Sequence, residues 1–174
     1  MRTVCDILAN QWRTSADRLD KRLDGVTDDE FFWAPVADVW TVRPAADGTG
    51  AATIDYDWPP PEPAPVTTIA WRLVHLANGN WIYWEHAFGS ARRNFTDLII
   101  PGDAGSARRD WRDSRASITE WIETADDDDL ATPRPSHLGR PRSAAEVFQI
   151  LIEEQTHHGA EIGLLRDLYL RRKH

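Results

Sequence analysis

Cysteine and methionine are nearly absent from this chain: Cys5 and Met1 are the only examples in 174 residues. One cysteine excludes an intrachain disulfide and any zinc site built from several thiolates, so Cys5 is expected simply to fill the core. No run of 18 apolar residues occurs, and the opening MRTVCDILANQW has neither the apolar core nor the small-residue cleavage site of a signal peptide. A soluble cytoplasmic protein with no membrane partner is the expectation. Basic patches interleaved with aromatics are also missing. Twenty Lys and Arg face 28 Asp and Glu, the formal net charge is −8, and nucleic acid is not an expected partner. Arg171, Arg172 and Lys173 at the end are suited to the negative pole of a helix C-terminus. The acidic run Asp126–Asp129 lacks the glycine and spacing of a calcium loop and reads as a solvated turn capping a short helical turn at Leu130.

Tryptophan is abundant: nine residues are spread through nearly every predicted element, suited to thick aromatic contacts between helices or to the walls of a pocket. The length allows one domain, residues 1–174, with a sizeable core. Val4, Leu8, Gln11/Trp12, Ser15, Leu19 and Arg22/Leu23 recur with helical period and predict a first helix over Thr3–Leu23, ended by Gly25. Thr27 and Glu30 form a capping-box pair ahead of Phe31, Phe32 and Trp33, aromatics expected to cap one end of the fold. Residues 45–66 hold Pro59, Pro60, Pro61, Pro63 and Pro65 and support no regular helix; Tyr56 and Trp58 suggest an ordered loop that folds over the bundle end near the candidate site. A second helix runs from a cap at Thr67 or Thr68 to Phe88, and a third spans roughly Gly105 to Thr124. No stretch shows a convincing period of two. The reading is all-α: an antiparallel four-helix bundle with a long Pro-rich loop between helices one and two.

The last helix carries the chemistry. Ser143 and Glu146 form a capping box at its start. After it Val147, Leu151, Glu154, His158, Glu161, Leu165 and Leu168 alternate by four and three, the spacing of a seam turned towards partner helices. Ionisable groups on such a seam must be paired, hydrogen-bonded or bound to a metal. Glu154 and His158 lie about 40° apart around the axis and about 6 Å along it, so both can reach one ion. His157 is also in reach of Glu154 but sits to one side of the seam, which favours His158. A third anchor is His75, in mid-helix two on the apolar line Trp71, His75, Asn78, Ile82. A hydrogen-bonded core histidine is the competing reading of His75, and a buried Glu–His hydrogen bond that of the pair. Together they make two His and one carboxylate with open positions, the donor set of catalytic zinc and of non-haem iron sites. His86 lies about 16 Å further along the helix, too far to share the ion.

The segments RLVHLAN around His75 and EEQTHHGAEIGLLRDL around His158, with the turn GVTDDEFFWAP, resemble the DinB-like superfamily of metal-dependent four-helix proteins. There the second helix carries a histidine before leucine, and the last helix a His-x-x-x-His pair followed by Gly-Gln. Two positions depart: Glu154 stands where histidine is commonest, and Glu161 where many members have glutamine. The resemblance implies a divalent metal, zinc or nickel first and iron next, held by His75, Glu154 and His158. It also implies a small-molecule substrate and, in some members, a low-molecular-weight thiol such as mycothiol or bacillithiol as co-substrate.

Two functions are expected. One is an enzyme in which the metal activates a thiol or water, with Glu161 orienting His158 or acting as a general base; a solvent-facing partner for an arginine is the bland reading of Glu161. The other is a non-enzymatic, metal-binding or stress-associated bundle acting through a homodimer.

Overall fold

Thr3 opens the first helix, α1 (Val4–Leu23): its hydroxyl accepts from the Asp6 N–H while the Asp6 carboxylate accepts from the Thr3 N–H. The computed structural model describes residues 3–45 and 52–172. The buried stripe of α1 is Cys5, Ala9, Trp12, Ala16, Leu19 and Leu23, and Val4, expected on that stripe, is exposed. The inner face thus mixes small side chains, Cys5, Ala9 and Ala16, with the large Trp12, Leu19 and Leu23. Cys5 fills the core as expected. Gly25 ends the helix with φ +70°, a left-handed conformation that favours glycine.

α2 (Asp28–Phe31) is a single turn capped by Thr27, whose hydroxyl accepts from the Glu30 N–H. The reciprocal half of the expected capping box is missing, because the Glu30 carboxylate is buried against Arg166, 3.2 Å away, in an ion pair not aligned as a hydrogen bond. Phe31 is fully buried, and Trp33 packs edge-on against Tyr169.

The region read as free of strands holds a short antiparallel pair, β1 (Val42–Pro44) with β2 (Ala52–Ile54), in register Val42↔Ile54. Three-residue strands are too short to show a period of two. Residues 46–51 of the expected loop lie outside the described residues. Asp55 ties the end of β2 to its surroundings: its carboxylate takes two hydrogen bonds from Arg43 and one from the Thr41 N–H, and its carbonyl accepts from the Trp71 indole at 2.7 Å.

α3 (Ile69–Phe88) is capped by Thr68 and ends at Gly89, as predicted. The third predicted helix divides at Arg115 into α4 (Ala104–Ser114) and α5 (Ala116–Thr124). There the guanidinium lies over the rings of Trp111 and Trp12, at 4.6 and 5.5 Å. Asp126 caps α6 (Asp127–Ala131), the turn expected at Leu130, and β3 (Pro133–Arg134) pairs with β4 (Arg142–Ser143). α7 (Ala144–Arg171) begins with the Ser143–Glu146 capping box.

The protein is thus mostly helical. α7 packs against α1 and α3, α3 also against α4, and α1 also against α5. One core cluster gathers Phe31, Leu73, Leu76, Trp111 and Ile162; the other gathers Trp12, Ile118, Ile122, Phe148 and Leu151. Among the described residues no helix is long and apolar enough to cross a membrane.

Candidate metal centre

His75 is carried on the middle of α3, and its ring is stacked on Trp71, 4.7 Å between centroids at 12°. Trp71 is in turn held by the Asp55 carbonyl, so the segment leading out of β2 orients the histidine through the indole. Across the interface α7 presents Glu154 and His158 one turn apart. The Glu154 Oε2 atom lies 3.1 Å from His158 Nε2 and 3.4 Å from His75 Nε2. The carboxylate oxygen thus sits close to an imidazole nitrogen of each histidine. One ligand atom from each of the three residues falls within 4.8 Å of the others. Close polar contact from His158, then from His75, outweighs burial and holds the Glu154 carboxyl far below the usual carboxylate range.

His158 is the most enclosed of the three, with 8% of its surface exposed. Its Nδ1 lies 2.7 Å from Glu161 Oε2, an N–H···O hydrogen bond when Nδ1 carries the proton. Burial pulls the His158 pKa down, but hydrogen bonds to Glu154 and Glu161 more than offset it, and the pKa is raised above 6.5. The Glu161 carboxylate is also paired with Arg72, whose Nε is 3.0 Å away. Both expected partners of Glu161, the imidazole and an arginine, are therefore present at once. Burial raises the Glu161 carboxyl, while His158 and Arg72 together bring it below its ordinary value.

A second cluster, His157, His158 and Glu161, also brings three ligand atoms within 4.8 Å. It is the poorer cation site. His157 is exposed, and the Arg72 guanidinium stands 3.2 Å from His158 Nδ1, a fixed positive charge where the ion would sit. The donor set of His75, Glu154 and His158 fits a divalent ion: two imidazole nitrogens and one carboxylate suit zinc, nickel or ferrous iron.

The centre opens on a cavity of about 410 Å³. His75 and Glu154 form part of its wall; Leu76, Gly79, Tyr83 and Leu151 line the inside, and Tyr56, Trp58, Phe95, His137 and Leu138 also line it. Tyr56 and Trp58 belong to the Pro-rich segment. A groove of similar size between α1 and α7 is lined by no His, Cys, Asp or Glu, so it has no comparable donors.

All four site residues singled out from the sequence thus meet at one place. His86 stands apart, its Nε2 3.0 Å from the Arg93 carbonyl. Sequence reasoning missed Arg72, although its place three residues before His75 on a helix was a usable signal. It gave His137 no role. That ring comes from the β3–β4 connection and meets Tyr83 edge-on at 4.3 Å. A contact so distant in sequence leaves no periodic trace.

Comparison with known proteins agrees with this architecture. The structure is similar to the crystal structure of a DinB-like protein from Bacillus cereus ATCC 10987, with TM-score 0.63 and 16% identity over 93% of this chain and 90% of that one. It is also similar to that of a conserved protein from Enterococcus faecalis, with TM-score 0.61 and 10% identity over 99% and 100% of the two chains. At such identities the likeness concerns the fold. No curated protein matches the sequence. A family model described as the DinB superfamily matches residues 50–162, a span that includes His75, Glu154, His158 and Glu161. The chain belongs to the DinB superfamily.

Proposed function

We propose that this protein is a metal-dependent enzyme, built as an antiparallel four-helix bundle, that binds one divalent ion through His75 Nε2, the Glu154 carboxylate and His158 Nε2. The order of contacts, α1 to α7 to α3 to α4–α5 and back to α1, supports the bundle. The observation that carries the site is the Glu154 oxygen close to two imidazole nitrogens at the wall of an open cavity. A structural zinc site is closed by a fourth protein ligand, whereas three ligands beside an open space suit catalysis.

When bound, the ion supplies Lewis acidity that lowers the pKa of a thiol or water at the open position. The protein's own groups prepare that position. Glu161 accepts a hydrogen bond from His158 Nδ1–H, so once an ion displaces the proton between Nε2 and Glu154, the Nε2 lone pair is the one left to ligate. Arg72 holds Glu161, so Glu161 acts as a positioning residue for His158. Trp71 holds the plane of the His75 ring. Two neutral imidazoles and one carboxylate leave a divalent site with net positive charge, which favours an anionic ligand. With the family resemblance, this supports a reaction of the S-transferase class using a low-molecular-weight thiol such as mycothiol or bacillithiol, with zinc or nickel in the site.

The non-enzymatic reading, a bundle acting through a homodimer, draws on Leu164 and Leu168, exposed one turn apart on α7. The open cavity beside the ligands favours the enzyme. Cobalt substitution tests it. Adding a small thiol to the cobalt form should produce a sulfur-to-cobalt charge-transfer band that His75→Ala lacks, and an unchanged spectrum would count against an open, thiol-accepting site.

A further inference from the structure

A glycine in mid-helix is unfavourable relative to alanine unless something requires the missing side chain. Gly79 lies inside α3, one turn beyond His75, and a Cβ built there meets nothing within 4 Å. No neighbouring backbone explains it. Gly79 lines the cavity of the metal centre, so what its missing side chain provides is room inside that cavity.

A second observation concerns the other lining residues. Trp58 is 82% exposed, Tyr56 57%, and Phe95 and Leu138 48% each. These four large apolar side chains come from three separate segments: the stretch before α3, the single 3-10 turn Phe95–Asp97, and the β3–β4 connection. All four line this one cavity. Scattered exposed apolar residues are ordinary; four from separate connections around one concavity mark a binding site. Deeper in, Leu76, Tyr83 and Leu151 continue the apolar wall to His75 and Glu154. The volume of about 410 Å³ is at the small end of ligand pockets, too small for a helix or strand of a partner protein. Asn80 and His137 add polar groups to this wall: the Asn80 amide donates to Ser114 Oγ, whereas His137 Nδ1 is buried and has no hydrogen-bond partner among the described residues.

We propose that the cavity binds a compact amphipathic small molecule whose planar apolar part occupies the space over Gly79 between Trp58, Tyr56, Phe95 and Leu138, while an anionic, electron-pair-donating head points to His75 and Glu154. The head contact rests on the metal reading above. The apolar seat does not, because it is formed by residues that ligate nothing. Flat rings stack well on tryptophan and tyrosine, which gives an aromatic part the advantage over a branched aliphatic one.

The test is calorimetric titration of the full chain with two pairs of probes, 4-phenylbutyrate against butyrate and 4-phenylbutanol against butanol, with zinc and without. The zinc-loaded protein should bind 4-phenylbutyrate about tenfold or more tighter than butyrate. Gly79→Leu, which fills the space with a good helix former, and Trp58→Ala, which removes an exposed ring, should each remove most of that preference and leave zinc content unchanged. His75→Ala should lose zinc and any advantage of acid over alcohol, yet keep the preference for phenylbutanol over butanol. Equal affinity for the two acids would overturn the proposal. So would a ring preference untouched by both cavity variants. If instead Trp58→Ala converts a dimer to a monomer in sedimentation and leaves the ring preference intact, the apolar mouth is a face for a second copy and the proposal fails. If the wild type takes up no zinc but keeps its preference for phenylbutanol over butanol, the metal reading fails and the apolar seat stands.

Discussion

His158 determines how the centre responds to pH. Its pKa is raised above 6.5 because hydrogen bonds to Glu154 and Glu161 outweigh burial, so the metal-free protein keeps a proton there that an ion must displace. Metal affinity should therefore begin to fall above pH 6.5 as the solution is acidified. Zinc binding near neutrality should release a proton, measurable by calorimetry in buffers of different ionisation enthalpy. The stability of the metal-free protein runs the other way: a raised imidazole pKa contributes stability that is complete below about 6.5 and is lost as pH rises through the folded value. Glu154, with its carboxyl held low, contributes stability present above its ordinary value of 4.5 and lost as pH falls further. Glu161→Ala removes the acceptor for His158 Nδ1 and the partner of Arg72. It should weaken zinc affinity about 10–100-fold in competition with a chelator while leaving one ion per chain at saturation. His75, Glu154 and His158 were legible in the sequence because helical spacing puts them on or beside the inner face, although on α7 Gln155 and Ile162 are buried where Glu154, Glu161 and Leu168 were expected. Tyr56 and Trp58 were picked out within the Pro-rich segment, whereas Phe95, His137 and Leu138 were not, because they reach the cavity from connections with no period.

At the scale of elements, helix caps were the most legible feature: Ser143 opens α7 as expected, Thr68 is one of the two caps expected for α3, and Asp126 begins the acidic run expected at the turn of Leu130, since a cap is satisfied within a few residues. What depends on distant packing was not legible. On the inner face of α1, Ala9 and Ala16 are buried beside the expected Trp12 and Leu19, and their small size carries little hydrophobic signal. Glu30 was read as half of a local capping box, but it goes to Arg166 on α7 and is almost wholly buried. Burial raises the Glu30 carboxyl despite the arginines around it, so the pair is enclosed and not a surface contact. Glu30→Ala should destabilise the protein by about 3–5 kcal/mol in urea unfolding, mainly by leaving the mostly buried Arg166 charge, still bonded to the Arg22 carbonyl, without its carboxylate. Gly79→Ala should do the opposite and stabilise the metal-free protein by about 0.5–1 kcal/mol, because helix propensity improves and the new methyl group meets nothing within 4 Å.

For the whole molecule, α7 packs against both α1 and α3, and an ion held by His75, Glu154 and His158 would join α3 and α7 through side chains from both. Ligand binding to the folded state alone stabilises it by mass action, about 2.7 kcal/mol at a hundredfold excess over Kd. Zinc should accordingly raise the melting temperature of the wild type and leave that of His75→Ala unmoved. Elemental analysis of protein purified without added metal decides the ligand set. One divalent ion per chain is expected in the wild type and in His157→Ala. Near-complete loss is expected in His75→Ala, Glu154→Ala and His158→Ala, with metal retained in Glu154→His. Loss of the ion in His157→Ala together with full retention in His75→Ala would rule out this ligand set and place the metal at the second cluster, beside Arg72.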